Sequence, residues 1–289
     1  MNQLSELSSG WHGRLDLAFD TRDGKTQVGH CNAQAPLKFQ RPFYPEGPAV
    51  CHGVMLHTAG GIVGGDRLST NIRLSESSHG LLTTAAATKI YRSSGANAVQ
   101  TTTLTLADHA RLEWFPQESI VFNGAKYHQN TTVHLSPGAT WMGWELVRLG
   151  RSARGEQFEQ GEWRSHTEIW RADHPLWIDR QYIQGGNIML QRQHGLANCP
   201  VVGSFAFVGT VVDIDVLNQI RAQWLTQLPS ISKQTHRTKI GATRLCEGIL
   251  CRYRGTSTVE ARKLFMIAWD ALRKSALSLA PHRPRIWSV

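Results

Sequence analysis

The sequence predicts a mainly β protein, sandwich- or solenoid-like, with two α-helices in its C-terminal third, and three observations carry that expectation. Charged residues are sparse, at 18% of 289, while glycine (26) and tryptophan (10) are frequent and threonine recurs in runs, a composition that suits pleated strands better than a helical bundle. From about Gly10 to Gly203, short β-like runs alternate with turn residues at the spacing of an all-β fold. Helical periodicity appears only in two later segments. No repeat of fixed length is visible, which disfavours a regular solenoid.

In order, the strand-like runs include HGLLTTAAATKIYRS (79–93), AVQTTTLTL (98–106), ARLEWF (110–115), SIVFNGA (119–125), TTVHLSPGA (131–139), TWMGWELVRLG (140–150) and HTEIWRADHPLWIDRQYI (166–183). Asn123-Gly124, Ser136-Pro137-Gly138 and Ala172-Asp173-His174-Pro175 supply turns between them. In DIDVLNQIRAQWLTQLP (213–229), Val216, Ile220, Trp224 and Leu228 recur every four positions behind Asp213 or Asp215 as N-cap, and Pro229 is expected to end the helix. A second helix begins at Ser257, whose spacing to Glu260 is that of a capping box. It continues through Leu264, Ile267, Ala268, Ala271 and Leu272 and stops before Pro281. The two prolines of the tail PHRPRIWSV deny it a helix, so it is expected to be extended, with Ile286 and Trp287 costly to leave in water.

The expected organisation is one domain over 1–289, with residues 1–9 flexible. The first twenty residues lack a basic region followed by an apolar stretch, and no segment approaches the roughly 20 apolar residues that span a bilayer, so a soluble cytoplasmic protein is expected. Five scattered cysteines (Cys31, Cys51, Cys199, Cys246, Cys251) argue against a disulfide framework and read as buried small apolar residues.

The motif HTAGGIVGGDRL (57–68) invites comparison with a phosphate loop. Gly60 and Gly65 have the spacing, but Asp66 stands where the phosphate-binding lysine is required, and a carboxylate there would repel an anion. Zinc-ligand spacings, a Gly-x-Ser-x-Gly elbow and a Gly-x-Gly-x-x-Gly fingerprint are also missing. The conspicuous groups are acids among apolar neighbours: Glu145 in WMGWELV, Asp179 in LWIDR, and Asp66 after the glycines. A desolvated carboxylate must be paired or must face a polar cavity, and Arg148, Arg180 and Arg67 are the nearby internal partners. Asp179 and Arg180, adjacent on a strand, point to opposite faces and cannot pair side by side. The net charge of +9 is spread without a run of three basic residues, which fits a solvated basic face meeting an acidic protein partner as well as it fits nucleic acid. Residue logic alone leaves a basic nucleic-acid-binding β protein and a β-rich hydrolase open.

RPFYPEG (41–47), HTAGGIVGGDR (57–67), LTTAAATKIYR (82–92), EWFPQESIVFNG (113–124), GWELVRLGRSARGE (143–156) and RPRIW (283–287), in this order, closely resemble the UreD (UreH) family of urease accessory proteins. Thr58-Ala59 stand where many members carry two prolines. The resemblance implies two irregularly stacked β-sheets and a helical C-terminal part. It also implies a non-enzymatic maturation factor that binds apo-urease, recruits UreF and UreG, and helps deliver nickel through an internal passage, with no permanently bound cofactor or metal and no nucleic-acid or membrane partner. Positions matching the family's passage are Asp66, Thr88, Lys89, Glu145 and Asp179. Carboxylates and water suit a divalent ion that must be released again, and Lys89 is expected to pair with an acid and hold it in place. Gly60, Gly61, Gly64 and Gly65 then serve to bring Asp66 to a crowded interior position through φ > 0 and close backbone approach.

Overall fold

The computed structural model describes residues 10–151, 154–231 and 238–288; the stretch 1–9 expected to be flexible lies outside them, and the Leu228 side chain lies outside the described side chains. The chain is mainly β. A seven-stranded sheet runs, from edge to edge, through β14 (His174–Gln184), β13 (Glu162–Arg171), β11 (Lys126–Leu135), β8 (Ala98–Leu106), β5 (Arg67–Leu74), β1 (His12–Arg22) and β2 (Lys25–Gln34). A ten-stranded sheet stacks on it. Its main path is β16 (Lys239–Leu245), β17 (Gly248–Gly255), β15 (Val201–Val208), β12 (Thr140–Leu149), β9 (Arg111–Phe115), β6 (His79–Thr84), β4 (Val50–His57) and β3 (Leu37–Phe39). The short β10 (Ser119–Val121) joins β12 to β7 (Thr88–Ile90) beside this path.

Between β4 and β13 the chain alternates between the sheets, and successive strands in each sheet pair in parallel. The result is a coil with solenoid-like stacking, although the sequence shows no fixed repeat. The turns of the coil differ because the β6–β8 connection carries β7 and the β9–β11 connection carries β10, so no constant period survives in the sequence. Antiparallel partners close both sheets: β2 and β14 on one, and β3, β15, β16 and β17 on the other.

Two helices cover the outer face of the ten-stranded sheet, α1 (Ile214–Ile231) and α2 (Thr258–Ser275). Asp213 caps α1, its Oδ1 accepting from the Asp215 N–H at 3.0 Å, and Ile220 and Trp224 are buried as the periodicity predicts. The backbone stays helical through Ile231, past Pro229: a proline in the final turn removes one hydrogen bond where the helix is ending anyway. Ser257 caps α2 by accepting from the Glu260 N–H at 3.2 Å. The tail is not extended as expected. Residues Arg285–Ser288 form a 3-10 turn behind Pro284, whose fixed φ suits the start of a helical turn. Trp287 packs in a ring cluster with Phe115, Trp144 and Trp269, at centroid distances of 5.6, 5.0 and 5.4 Å. Cys51, Cys199 and Cys251 are buried as expected, whereas Cys31 and Cys246 lie on exposed edge and turn positions. No helix among the described residues is long and apolar enough to cross a membrane.

Candidate functional site

Alternation along the inner strands builds a polar seam between two apolar cores. On the face of the seven-stranded sheet that meets the other sheet, β8 presents Ala98, Gln100, Thr102, Leu104 and Leu106, while β11 presents Tyr127, Gln129, Thr131, Val133 and Leu135. On β13 the series is Trp163, Ser165, Thr167, Ile169. Because these strands are parallel and in register, the polar positions fall side by side. Thr70, Thr102, Thr131, Thr167 and Asp179 form one rung, and Gln100, Gln129, Ser165 and Gln181 form the next. The apolar positions on either side of the rungs belong to separate core clusters.

From the opposite sheet, β12 contributes Trp141, Gly143, Glu145, Val147 and Leu149. Trp141 belongs to one of these cores, Val147 and Leu149 belong to the other, and Glu145 falls over the seam. Glu145 Oε2 accepts from Ser165 Oγ across the sheets at 2.7 Å, while the inaccessible Oε1 has no hydrogen-bond partner among the described residues. Burial pushes its carboxyl up to about 7; the Ser165 hydroxyl and the Arg252 guanidinium oppose this, and the neighbouring Asp179 charge adds to it.

The seam is hollow. A cavity of about 440 Å³ has a mainly apolar wall, including Leu15, Met55, Ile62, Leu68 and Leu146, into which the polar Thr88, Lys89, Gln100, Thr102, Gln129, Thr131 and Glu145 are set. Beyond Glu145 lies a narrower chamber of about 30 Å³ that shares Gln129, Thr131 and Glu145 with the first and adds Thr167, Asp179 and Ser204. That volume admits about two water-sized particles, at roughly 10–15 Å³ each. Thr88, Lys89 and Glu145 thus line the larger cavity, with Lys89 exposed, and Asp179 lines the smaller one, which is separated from the first by walls that include Gln129, Thr131 and Glu145.

The anticipated arginine partners are not the observed ones. Asp179 pairs bidentately with Arg252 of the other sheet, Oδ1 to Nη2 at 2.6 Å and Oδ2 to Nη1 at 2.8 Å, and Arg252 also donates to Ser204 Oγ. Arg180 instead meets His166 and Glu168 on the outer face, since adjacent strand residues point apart. Arg148 reaches the Thr256 carbonyl at 3.0 Å. Lys89 makes no ion pair among the described residues, in contrast to the acid partner expected for it.

Asp66 lies outside the cavity. It is buried, and it accepts from the Trp11 N–H at 2.8 Å and the Val63 N–H at 2.9 Å, locking the glycine loop to the start of β1. Of the four motif glycines only Gly65 has positive φ, at +98°. Gly61 and Gly64 serve close approach: a Cβ on Gly61 would sit 2.6 Å from the Lys89 carbonyl oxygen, and one on Gly64 would sit 2.7 Å from that of Ala96. Gly60 is exposed with room for a Cβ, and its carbonyl accepts from the Tyr91 hydroxyl at 3.0 Å. The loop thereby lies flat on β7, with the Ile62 N–H donating to Lys89 and the Tyr91 N–H to Ile62, each at 2.8 Å, and it forms one wall of the cavity mouth.

Sequence reasoning missed the glutamines and threonines of the seam, whose signal is a polar break at the same place in consecutive i, i+2 series. It also missed a buried charge cluster under α2. Arg273 donates to Glu46 at 2.8 and 2.9 Å and to Glu113 at 2.9 Å, and Glu113 accepts from Trp269 Nε1 at 2.5 Å. His79 Nε2 lies 2.8 Å from the same Glu113. Although burial raises the Glu113 carboxyl, His79 and Arg273 outweigh it and hold the group at about 2. Among the described residues no group of three or more His, Cys, Asp or Glu side chains is placed to hold a metal ion.

Two sheets wound as a coil about a hollow polar seam, with helices over one outer face, define a β-rich protein organised around an internal cavity. The family model described as UreD urease accessory protein matches residues 12–288. A urease accessory protein UreD from Nostoc punctiforme is 51% identical over 285 residues, covering 99% of both chains. Those from Trichormus variabilis and Acaryochloris marina are 50% and 49% identical, covering 99% and 100% of both chains. The chain belongs to the UreD family of urease accessory proteins.

Proposed function

We propose that the chain is a non-catalytic cytoplasmic maturation factor that binds apo-urease, recruits UreF and through it UreG, and lets nickel cross the inter-sheet cavity toward the urease active site. The observation that carries this reading is the pair of adjoining inter-sheet cavities with Glu145 in the wall of both, its Oε1 without a hydrogen-bond partner among the described residues. Amide, hydroxyl and a single unpaired carboxylate are hard, weak ligands, so a divalent ion entering the seam is held and released. Lys89 at the mouth raises the cost of entry for a bare cation, which favours admission only when a docked partner screens or displaces that ammonium. Asp179, neutralised by Arg252, keeps the narrow end open as a tether between the sheets. Asp66 acts at one remove, by fixing the loop that forms the mouth.

Reconstitution with purified apo-urease, UreF, UreG, nickel and GTP tests the reading. Active urease should form only when the chain is present, and the chain alone should turn over neither urea nor GTP. Equal activation without it, or robust turnover by the isolated chain, contradicts the proposal.

A further inference from the structure

We infer that the outer face of the seven-stranded sheet is a docking surface for an acidic protein partner. This face is turned away from both the cavity and the helices. Its rungs cross four parallel strands in register and end on the antiparallel β14: Arg67, Val99, His128 and Arg164 lead to Tyr182, and Ser69, Thr101, Asn130 and His166 lead to Arg180. Three arginine–carboxylate pairs on it share one geometry. The Arg14, Arg164 and Arg180 side chains are 59%, 55% and 71% exposed, while their partners Asp16, Glu162 and Glu168 are 9%, 20% and 22% exposed. The acids are recessed into the sheet and the guanidinium groups stand above them, so an approaching molecule meets positive charge even where the formal charges cancel.

Two more exposed arginines, Arg67 and Arg73, make no ion pair among the described residues. At the β14 edge the exposed Tyr182 stacks under the Arg164 guanidinium at 4.5 Å, and Ile178, two positions from Arg180 on the same face, is also exposed. Arginine and tyrosine are types that dominate protein interfaces. Seven strands about 4.8 Å apart, eight to eleven residues long, give a face of roughly 950 Å². That is close to the roughly 800 Å² each partner buries in a stable protein complex. Recessed acids argue for carboxylates on the partner: a polypeptide can place its acids between the arginine heads and its donors on Glu162 and Glu168, whereas the rigid, evenly spaced phosphates of a nucleic-acid duplex meet the recessed acids unfavourably.

The choice of urease as probe rests on the accessory reading above; the character of the face does not. The experiment compares the full chain, the Arg67→Glu/Arg73→Glu variant and a control Lys38→Glu/Arg41→Glu variant of equal net charge, each checked for unchanged thermal unfolding. Binding to immobilised apo-urease, poly-L-glutamate and a 20-base-pair DNA duplex is measured at about 0.05 and 0.5 M salt. The face variant should bind apo-urease and poly-L-glutamate roughly tenfold to a hundredfold more weakly at low salt, with the control near wild type. Equal binding by the face and control variants overturns the docking surface and leaves the accessory reading intact. Failure of the wild type to bind apo-urease overturns the accessory reading, and poly-L-glutamate then decides the face. DNA bound more tightly than either acidic probe, and lost in the face variant, would make the surface a nucleic-acid site and overturn the inference.

Discussion

Replacing Glu145 by Gln should make the protein more stable at alkaline pH while impairing its activity. Among the described residues the buried carboxylate has one hydrogen bond, from Ser165, and its second oxygen has no partner. Its carboxyl stands at about 7 instead of the ordinary 4.5. A raised carboxylate keeps its proton in the folded state where the unfolded chain has lost it, so its contribution is fully present below about 4.5, declines as pH rises, and is gone above about 7. At about 1.4 kcal/mol per pH unit the ionised group costs about 3 kcal/mol at pH 8, and hydration within the cavity reduces this to about 1–3 kcal/mol. With an unfolding entropy of about 2.1 cal/mol/K per residue, 289 residues give about 0.6 kcal/mol/K, hence a gain of about 2–5 °C in Tm for Glu145→Gln. Thermal unfolding followed by circular dichroism at pH 8 and pH 5 reads it. The gain should appear at pH 8 and vanish near pH 5, and urease activation by the variant should fall. A loss of stability at pH 8, or a gain of equal size at both pH values, refutes the reasoning that an uncompensated charge sits in the seam.

Arg273→Met leaves Glu46 and Glu113 buried without their cation and should cost about 3–5 kcal/mol, or about 5–8 °C in Tm; in the wild type the Glu113 contribution persists above the ordinary carboxylate range and is lost only as pH falls toward about 2, so a pH series of Tm should show the variant's deficit shrinking on acidification. Gly61→Val drives a side chain into the Lys89 carbonyl and the Tyr91 ring, and hydrogen exchange should show faster amide exchange at Ile62 and Tyr91. Asp66→Ala strands two N–H groups and should cost about 1–3 kcal/mol in urea unfolding, while Asp66→Asn keeps an acceptor, loses less and retains urease activation.

Much of the fold was legible because turn chemistry and alternation are local. Asn123-Gly124, Ser136-Pro137-Gly138 and the Ser257 cap lie where the chain turns or enters a helix, and AVQTTTLTL coincides with β8. Parallel pairing was not legible, because the partner of each strand is a turn of the coil away and the connections vary in length. The acids Glu145 and Asp179 stood out by their apolar neighbours, but their partners did not: Ser165 and Arg252 lie on the opposite sheet. Asp66 shows the reverse. Its burial was foreseeable, yet its direction is set by Trp11, 55 residues earlier, and points away from the cavity. Gln100, Gln129 and Thr131 went unnoticed singly because a polar strand residue is ordinary; only the common register turns them into a seam.

Filling the seam tests the central claim most directly. Thr131 lines both chambers, so Thr131→Phe places a ring between them while the adjoining space accommodates it. The measurement is the nickel content per active site of urease matured with this variant, in preparations where the variant still co-purifies with apo-urease and UreF and unfolds near the wild-type temperature. The account predicts assembled complexes whose urease remains nearly nickel-free. Urease loaded with nickel to the wild-type level by the plugged variant would show that the metal does not travel through the space between the sheets.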